Sequence, residues 1–463
     1  MSGEVNIPFF SIVVPTRNRA SLLRSSLKTA VEQSFDDYEV VVCDNNSKDD
    51  TREVVEAFMA QSSRVRYVNP ERDLSMCDNW DFALKHARGK FIIYLSDDDG
   101  LLLDCLSYAH DLISKFDVKL LVWPFAFYQH PDIPDPKVTS SLSCDFMTGK
   151  LFEVASDPVI QGLCELQQLE RIIPRMLNCA VERSLVEQAA GATDRFFVPP
   201  LPDYSTACQM LSITESYHFI DLPLVIIGAS VLSNTGLRFG RKQKVDAYIS
   251  LYKRDLLADV PYPMKYLTAP YLLATFLYFQ KVYPHKFRYP AKMDVHFKSM
   301  FNELTVYEDH DDVSEEYQQL AVYMKEYTGS NDMFDSMWRR HTAVKEARKQ
   351  KSNSSLELLG QRVRNNKPLF RLAKKVKNYV APSRPTYVDF PNVESVYDAA
   401  RLLSASLPTL AQRPTSLHPE PTNSSLFLHE LRNAQQLRGR PAASSKLSAG
   451  ARAQSNQHNR LQD

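Results

Sequence analysis

SIVVPTRNRASLLRSSLKTAVEQSFDDYEVVVCDNNSKDDT, residues 11–51, is the stretch that decides the fold. Phe10 to Val14 is an unbroken apolar, β-branched run, which predicts a buried strand ended by Pro15. Leu22, Leu23, Ser26, Leu27, Ala30 and Val31 then recur at helical spacing and share one face. Glu39 to Cys43 repeats the strand signal, Asp44 opens a polar turn, and Val54, Val55, Phe58 and Met59 mark a second amphipathic helix.

Working outward, the unit recurs. Val65 to Val68 reads as a strand, Trp80 to Ala87 as a helix with Gly89 as its C-cap, and Phe91 to Leu95 as a strand. Leu106, Ala109, Leu112, Ile113 and Phe116 give a further helix before the strand Lys119 to Trp123. Strands alternating with helices across short loops predict a mostly parallel sheet flanked by helices, a Rossmann-like α/β fold. Ligands of such sheets sit beyond the carboxyl ends of the strands. Thr16 to Arg19, Asp44 to Asp50 and Asp97 to Asp99 all fall at those ends and are expected to meet in one crevice.

Asp97, Asp98 and Asp99 follow an apolar strand directly, and adjacent carboxylates repel unless a cation or solvent compensates. A hard divalent cation, Mn²⁺ or Mg²⁺, suits them, because it takes oxygen ligands and often keeps only one or two protein carboxylates beside substrate phosphates. The plainer alternative is a solvated turn in which one aspartate caps the helix near Asp104. Asp44 offers an acceptor for a base or ribose, with Thr16 and Arg17 flanking it; equally, Asp44 forms an Asx turn with Asn46 and Arg17 is a surface charge. Asn79 reads as a capping or loop-orienting residue and Trp80 as core.

The run over residues 11–51, followed by NWDFALKHARGKFIIYLSDDDGLLL at 79–103, resembles the nucleotide-binding half of a family 2 glycosyltransferase of GT-A fold. The resemblance covers roughly the first 120 residues. It implies inverting transfer from a nucleotide-diphosphate sugar to a glycan, polysaccharide or lipid-linked acceptor. By position it implies base contacts at Thr16 and Asp44 with Pro15 and Arg17 beside them, a ribose or donor contact at Asp97, and metal ligation by Asp98 with Asp99. Two positions depart from the family pattern: Ser96 stands where an aspartate is common, and Asp78 where an arginine often precedes the asparagine.

Inversion in one step needs a base to take the acceptor hydroxyl's proton, and a carboxylate usually serves. The resemblance places it well downstream of the acidic triplet. Asp203 in PPLPDYSTACQML is the candidate, against its rival reading as a helix N-cap; Glu182 and Asp194 are weaker candidates. The basic stretch Ser233 to Lys244 either closes over a diphosphate or is a solvated charge run, and His218 reads as a packed strand residue.

Fifty-five basic and fifty-five acidic residues leave no net field to draw the molecule to nucleic acid. Seven scattered cysteines without a CxxC pair exclude a zinc ribbon or a dense disulfide framework and fit a reducing, cytoplasmic setting. Tyr266 to Phe279, the longest apolar candidate, is shorter than a membrane span and carries Pro270. The expected organisation is a glycosyltransferase domain over 1–240, with its nucleotide half at about 9–123 and acceptor half at about 124–240. A helical region over 241–350 and a basic segment with a disordered tail over 351–463 would follow. From Trp338 to Tyr379 thirteen Lys and Arg face only Glu346 and Glu357, a charge run suited to peripheral contact with an anionic membrane or to a solvated helix.

Overall fold

The predicted alternation is realised from the first strand onward. The structure, a computed structural model, describes residues 7–135, 138–145, 147–167, 169–233, 241–352, 387–410 and 415–418. The first part runs β1 (Phe10–Thr16), α1 (Ala20–Val31), β2 (Tyr38–Asp44), α2 (Thr51–Met59), β3 (Val65–Val68), α3 (Met76–His86) and β4 (Phe91–Tyr94). Next come β5 (Gly100–Leu101), α4 (Cys105–Phe116), β6 (Leu120–Val122), β7 (Phe125–Gln129), β8 (Ser141–Asp145), β9 (Leu151–Ala155) and α5 (Ser156–Cys164). Then follow β10 (Cys179–Glu182), α6 (Arg183–Thr193), α7 (Pro202–Ile213), β11 (Ser216–Ile220) and β12 (Val225–Ala229). Five helices follow: α8 (Arg241–Ser250), α9 (Thr268–Val282), α10 (Met293–Tyr307), α11 (Ser314–Thr328) and α12 (Asp332–Ser352). The chain then returns as β13 (Tyr387–Pro391), α13 (Val396–Leu410) and β14 (Leu417–His418).

Nine strands form one sheet in the order β14-β9-β11-β6-β10-β4-β1-β2-β3. Its β4-β1-β2-β3 part is parallel, with β1 between β2 and β4 and β3 beyond β2, and every residue of β1 and β2 is buried. Burial on both faces is why these strands read as continuous apolar runs rather than alternating ones. Strand β10 enters antiparallel between β4 and β6. A second sheet, β13-β8-β7-β12-β5, is antiparallel except for β7 with β12.

Several expectations are corrected. Pro15 does not end β1; it lies inside, opposite Cys43 of β2. Val13 O accepts from Leu95 N, so Pro15, two residues on, also faces the β4 side, where pairing has already ceased at Val13. Its missing N–H therefore removes no ladder bond. Helix α3 begins at Met76 on the Ser75 cap, whose side chain accepts from Asp78 N, and it ends at an Ala87 C-cap. Gly89 instead lets the chain pass against β1: a Cβ there would lie 2.5 Å from Ser11 N. Pro223 separates β11 from β12, so the strand on which His218 was read stops at Ile220 and the two strands join different sheets.

The largest departure lies in the C-terminal part. A basic segment and a disordered tail are expected over 351–463; within that range Val393, Val396, Ala399, Ala400 and Leu403 are fully or almost fully buried in the same core as Phe10, Leu27 and Leu101. Leu103 N donates to Ser404 Oγ at 2.9 Å, and Tyr128 OH donates to Val393 O at 3.0 Å. The Ser/Ala-rich stretch beyond 418, and residues 353–379 of the basic segment, lie outside the described residues. Helices α9 to α12 enclose a separate cluster around Phe297, Met300, Leu304 and Leu320.

Candidate functional site

The three polar clusters meet. Thr16, at the end of β1, donates from Oγ1 to Asp97 Oδ2 at 2.7 Å, and Arg19 Nη1 donates to Asp97 Oδ1 at 2.9 Å. Parallel register forces this: Val13 lies opposite Tyr94, so the turns after β1 and β4 leave the sheet at the same level. Asp44 stands opposite Thr16 at the end of β2, and Asn45 N donates to Thr16 O at 2.9 Å. Asp44 accepts from Ser47 N at 2.9 Å on one oxygen and from Tyr67 OH at 2.7 Å on the other. The Asx-type contact thus forms, but onto Ser47 rather than Asn46. Arg17 is no free surface charge; its guanidinium pairs with Asp73 at 2.6 Å on the rim.

The triplet is not a solvated turn. Asp97, Asp98 and Asp99 are 2%, 5% and 3% exposed. Asp98 Oδ1 accepts from Ser96 Oγ at 2.6 Å, and the Asp98 carbonyl lies 3.0 Å from His130 Nε2. Asp99 Oδ1 accepts from Gly228 N of β12 at 2.8 Å. Among the described residues only Arg19 hydrogen-bonds the triplet as a cation, and it does so to Asp97. Burial, then repulsion from Asp97, pushes the Asp98 carboxyl up, with Arg19 opposing; burial and Asp98 push the Asp99 carboxyl well up. The Arg19 guanidinium is held more firmly protonated by Asp97. Asp104 is the N-cap of α4, though its side chain makes no cap bond.

Asp203 lies in the first turn of α7, behind Leu201 as N-cap and Pro202, so the N-cap reading fails. Its carboxyl is pushed up by burial and held back by Arg175, whose Nη1 is 3.9 Å away. Arg175 also opposes the rise of the Asp99 carboxyl. Glu182 accepts from Ser184 Oγ at the end of β10, and Asp194 is the left-handed C-cap of α6; neither has a comparable setting. His218 is a half-buried residue of β11.

The basic stretch at 233–244 divides. Residues 234–240 lie outside the described residues, whereas Arg241 is fully buried among Asp311, Glu316 and the Tyr307 ring. Arg241 is therefore neither a diphosphate clamp nor a solvated charge. Asn79 is buried, with Oδ1 3.3 Å from Cys43 Sγ, and Trp80 stacks on Tyr94 in the core. Asp78 is matched by Arg195 at 2.9 Å.

Sequence reading gave Arg19 no role beyond its place in the Thr16 to Arg19 cluster, and missed Tyr67, His130, Arg175 and Gly228 as parts of the site. Arg19 was within reach, three residues beyond Thr16; the others are far away in the chain and carry no local signal. Among the described residues no group of three or more His, Cys, Asp or Glu side chains is placed to hold a metal ion. A divalent cation does not need three, since it keeps waters and substrate oxygens. The donor set fits on one count: Asp98 is a hard, buried, undercompensated carboxylate.

A crevice of buried carboxylates at the carboxyl ends of parallel strands defines an α/β domain of the kind that binds nucleotide ligands. The family model Glycosyl transferase family 2 matches residues 11–142, so this part of the chain is similar to that family. GalNAc(5)-diNAcBac-PP-undecaprenol beta-1,3-glucosyltransferase of Campylobacter jejuni is 38% identical over 102 residues, covering 22% of this chain and 33% of that protein. UDP-Glc:alpha-D-GlcNAc-diphosphoundecaprenol beta-1,3-glucosyltransferase WfgD of Escherichia coli is 28% identical over 111 residues, covering 24% and 43%. The match thus spans between a third and under half of these curated relatives' length. Staphylococcus aureus TarS 1-349 with UDP-GlcNAc is a distant structural likeness, at TM-score 0.44 and 14% identity over 72% of this chain and 91% of that chain.

Proposed function

We propose that this chain is an inverting, metal-dependent glycosyltransferase that moves a sugar from a nucleotide-diphosphate donor to a lipid-linked or glycan acceptor. The observation that carries this is the meeting of Thr16, Asp44 and the Asp97–Asp99 turn at one edge of the parallel sheet. Asp44 and Thr16, with Pro15 and Arg17 beside them, take the base and ribose. Asp97, already oriented by Thr16 and Arg19, keeps lone pairs for a donor hydroxyl. Asp98 holds Mn²⁺ or Mg²⁺, which when bound offsets the charge growing on the departing diphosphate. Asp99 was expected as a second ligand; its Oδ1 bond to Gly228 N favours a role in fixing the turn against β12. Asp203 takes the acceptor hydroxyl's proton, and a raised carboxyl there is a better base near neutral pH than an ordinary one.

The two undecaprenol-linked substrates named for the relatives support a lipid-linked acceptor. So do the exposed Arg339, Arg340 and Lys345 on α12, which suit peripheral contact with anionic lipid from the cytoplasmic side. Among the described residues no helix is long and apolar enough to cross a membrane.

Calorimetry against UDP, GDP, dTDP and CDP, with Mn²⁺ or with EDTA, tests the reading. One nucleotide is expected to bind in a metal-dependent manner, and Asp98→Ala to lose it. Absence of binding to all four would remove the donor assignment.

A further inference from the structure

Arg175 has no part in the roles assigned above. It sits in the loop before β10, where its N–H donates to Asn178 Oδ1 at 3.1 Å, while Asn178 Nδ2 ties Trp123 O at 2.9 Å and Ile173 O at 3.1 Å. The guanidinium lies over the rings of Phe125 at 5.1 Å and Tyr204 at 5.9 Å, and the residue is only 8% exposed. Nη1 points towards Asp203, too far at 3.9 Å for a hydrogen bond. Nε and Nη2 are buried and have no hydrogen-bond partner among the described residues.

Buried guanidinium donors are nearly always paired in native structures, and an unmatched pair on a rigid side chain points to a missing partner. Nε–H and Nη2–H lie on one edge of the planar group, at the spacing of two oxygens of a phosphate. The neighbouring anions do not supply that partner: Asp99 is bonded to Gly228 N, and Asp203 faces Nη1. We propose that Nε and Nη2 of Arg175 bind a phosphate oxyanion of a substrate beside Asp203. This rests on the nucleotide-sugar reading and adds to it the residue that receives phosphate on the side of the base. The oxyanion belongs either to the donor diphosphate or to a phosphate of the acceptor, which share this chemistry.

The test is calorimetry on the full chain with Mn²⁺, comparing the wild type with Arg175→Gln and Arg175→Lys. The probes are the nucleoside diphosphate bound by the wild type, its monophosphate, and inorganic pyrophosphate added with and without saturating diphosphate. A charge-assisted bidentate contact predicts at least about a tenfold loss in the Gln variant and partial retention in the Lys variant. Loss confined to the diphosphate, with the monophosphate unchanged, assigns the donor. Unchanged nucleotide binding, with pyrophosphate binding on top of saturating diphosphate lost in the variant, assigns an acceptor phosphate. Arginine-dependent pyrophosphate binding without any nucleotide binding would keep this inference and remove the donor reading. Identical affinities for every probe in wild type and in whichever variant folds, checked by circular dichroism, would overturn it.

Discussion

Asp98→Asn should make the metal-free protein more stable and the metal-bound comparison come out the other way. The wild-type carboxylate is 5% exposed, accepts one hydrogen bond from Ser96 Oγ, and has Asp97 and Asp99 on either side. Its nearest compensating guanidinium, Arg19, is bonded to Asp97. An asparagine keeps the acceptor for Ser96 and removes the buried charge, a change expected to stabilise by on the order of 1–3 kcal/mol near neutral pH. The melting temperature should rise by roughly a few degrees. The sign with pH follows from the raised Asp98 carboxyl. Its proton is held more tightly in the folded state, so its contribution is complete below the ordinary carboxyl range and is lost as pH rises through the folded value. The variant's advantage should therefore be near zero in acid and grow towards pH 8, helped by relief of the repulsion on Asp99. Mn²⁺ at about a hundred times its Kd adds roughly 2.7 kcal/mol to a protein that binds it, and the variant lacks the ligand. Thermal melts from pH 4.5 to 8, in EDTA and in Mn²⁺, decide the matter. A variant less stable than wild type at pH 8 in EDTA, or stabilised equally by Mn²⁺, would refute the reasoning.

Other substitutions probe separate parts of the site. Asp203→Asn should lower kcat by about 10²–10⁴-fold with nucleotide affinity unchanged, and the acid limb of the wild-type kcat/KM profile should lie above the ordinary carboxyl range because burial raises that group. Full turnover in the variant would remove the base assignment. Gly228→Ala would put a Cβ 1.8 Å from Asp98 O and 2.7 Å from His130 Nε2, so the acidic turn must shift. We expect a loss of at least about 1–3 kcal/mol in melts together with weakened nucleotide binding. Leu403→Ala, in the buried face of α13, should cost about 2–5 kcal/mol in urea unfolding, and a change near zero would mean that α13 does not share the N-terminal core. Arg339→Glu with Arg340→Glu should weaken sedimentation with anionic vesicles by at least about tenfold if α12 meets the membrane, at about 1 kcal/mol per residue; unchanged sedimentation argues against that contact.

Much of this was legible because its causes are local. The unbroken apolar runs and the period-3.6 patterns of residues 9–123 name the strands and helices, and the rule that parallel sheets bind at strand ends turns Thr16, Asp44 and Asp97 into one crevice without coordinates. Asp203 as a carboxylate near a helix start was equally readable; its place at the second helical position was not, because Pro202 fits the first position and shifts the cap to Leu201.

What the sequence by itself determined is the class of the fold, the alternation of strands and helices along its first part and the chemistry available at the strand ends. Each depends on side-chain period and on residues within a few positions of one another. Only the tertiary structure decided how that chemistry is set. Asp99 is fixed by Gly228, 129 positions away, and Arg19 reaches Asp97 across 78. Arg175 faces Asp203 and acts on Asp99, and α13 returns from the far end of the chain to fill the core beneath β5. Such contacts are selected by the free energy of burying apolar surface and pairing buried charge in the whole fold, and no local pattern records which distant residue supplies the partner.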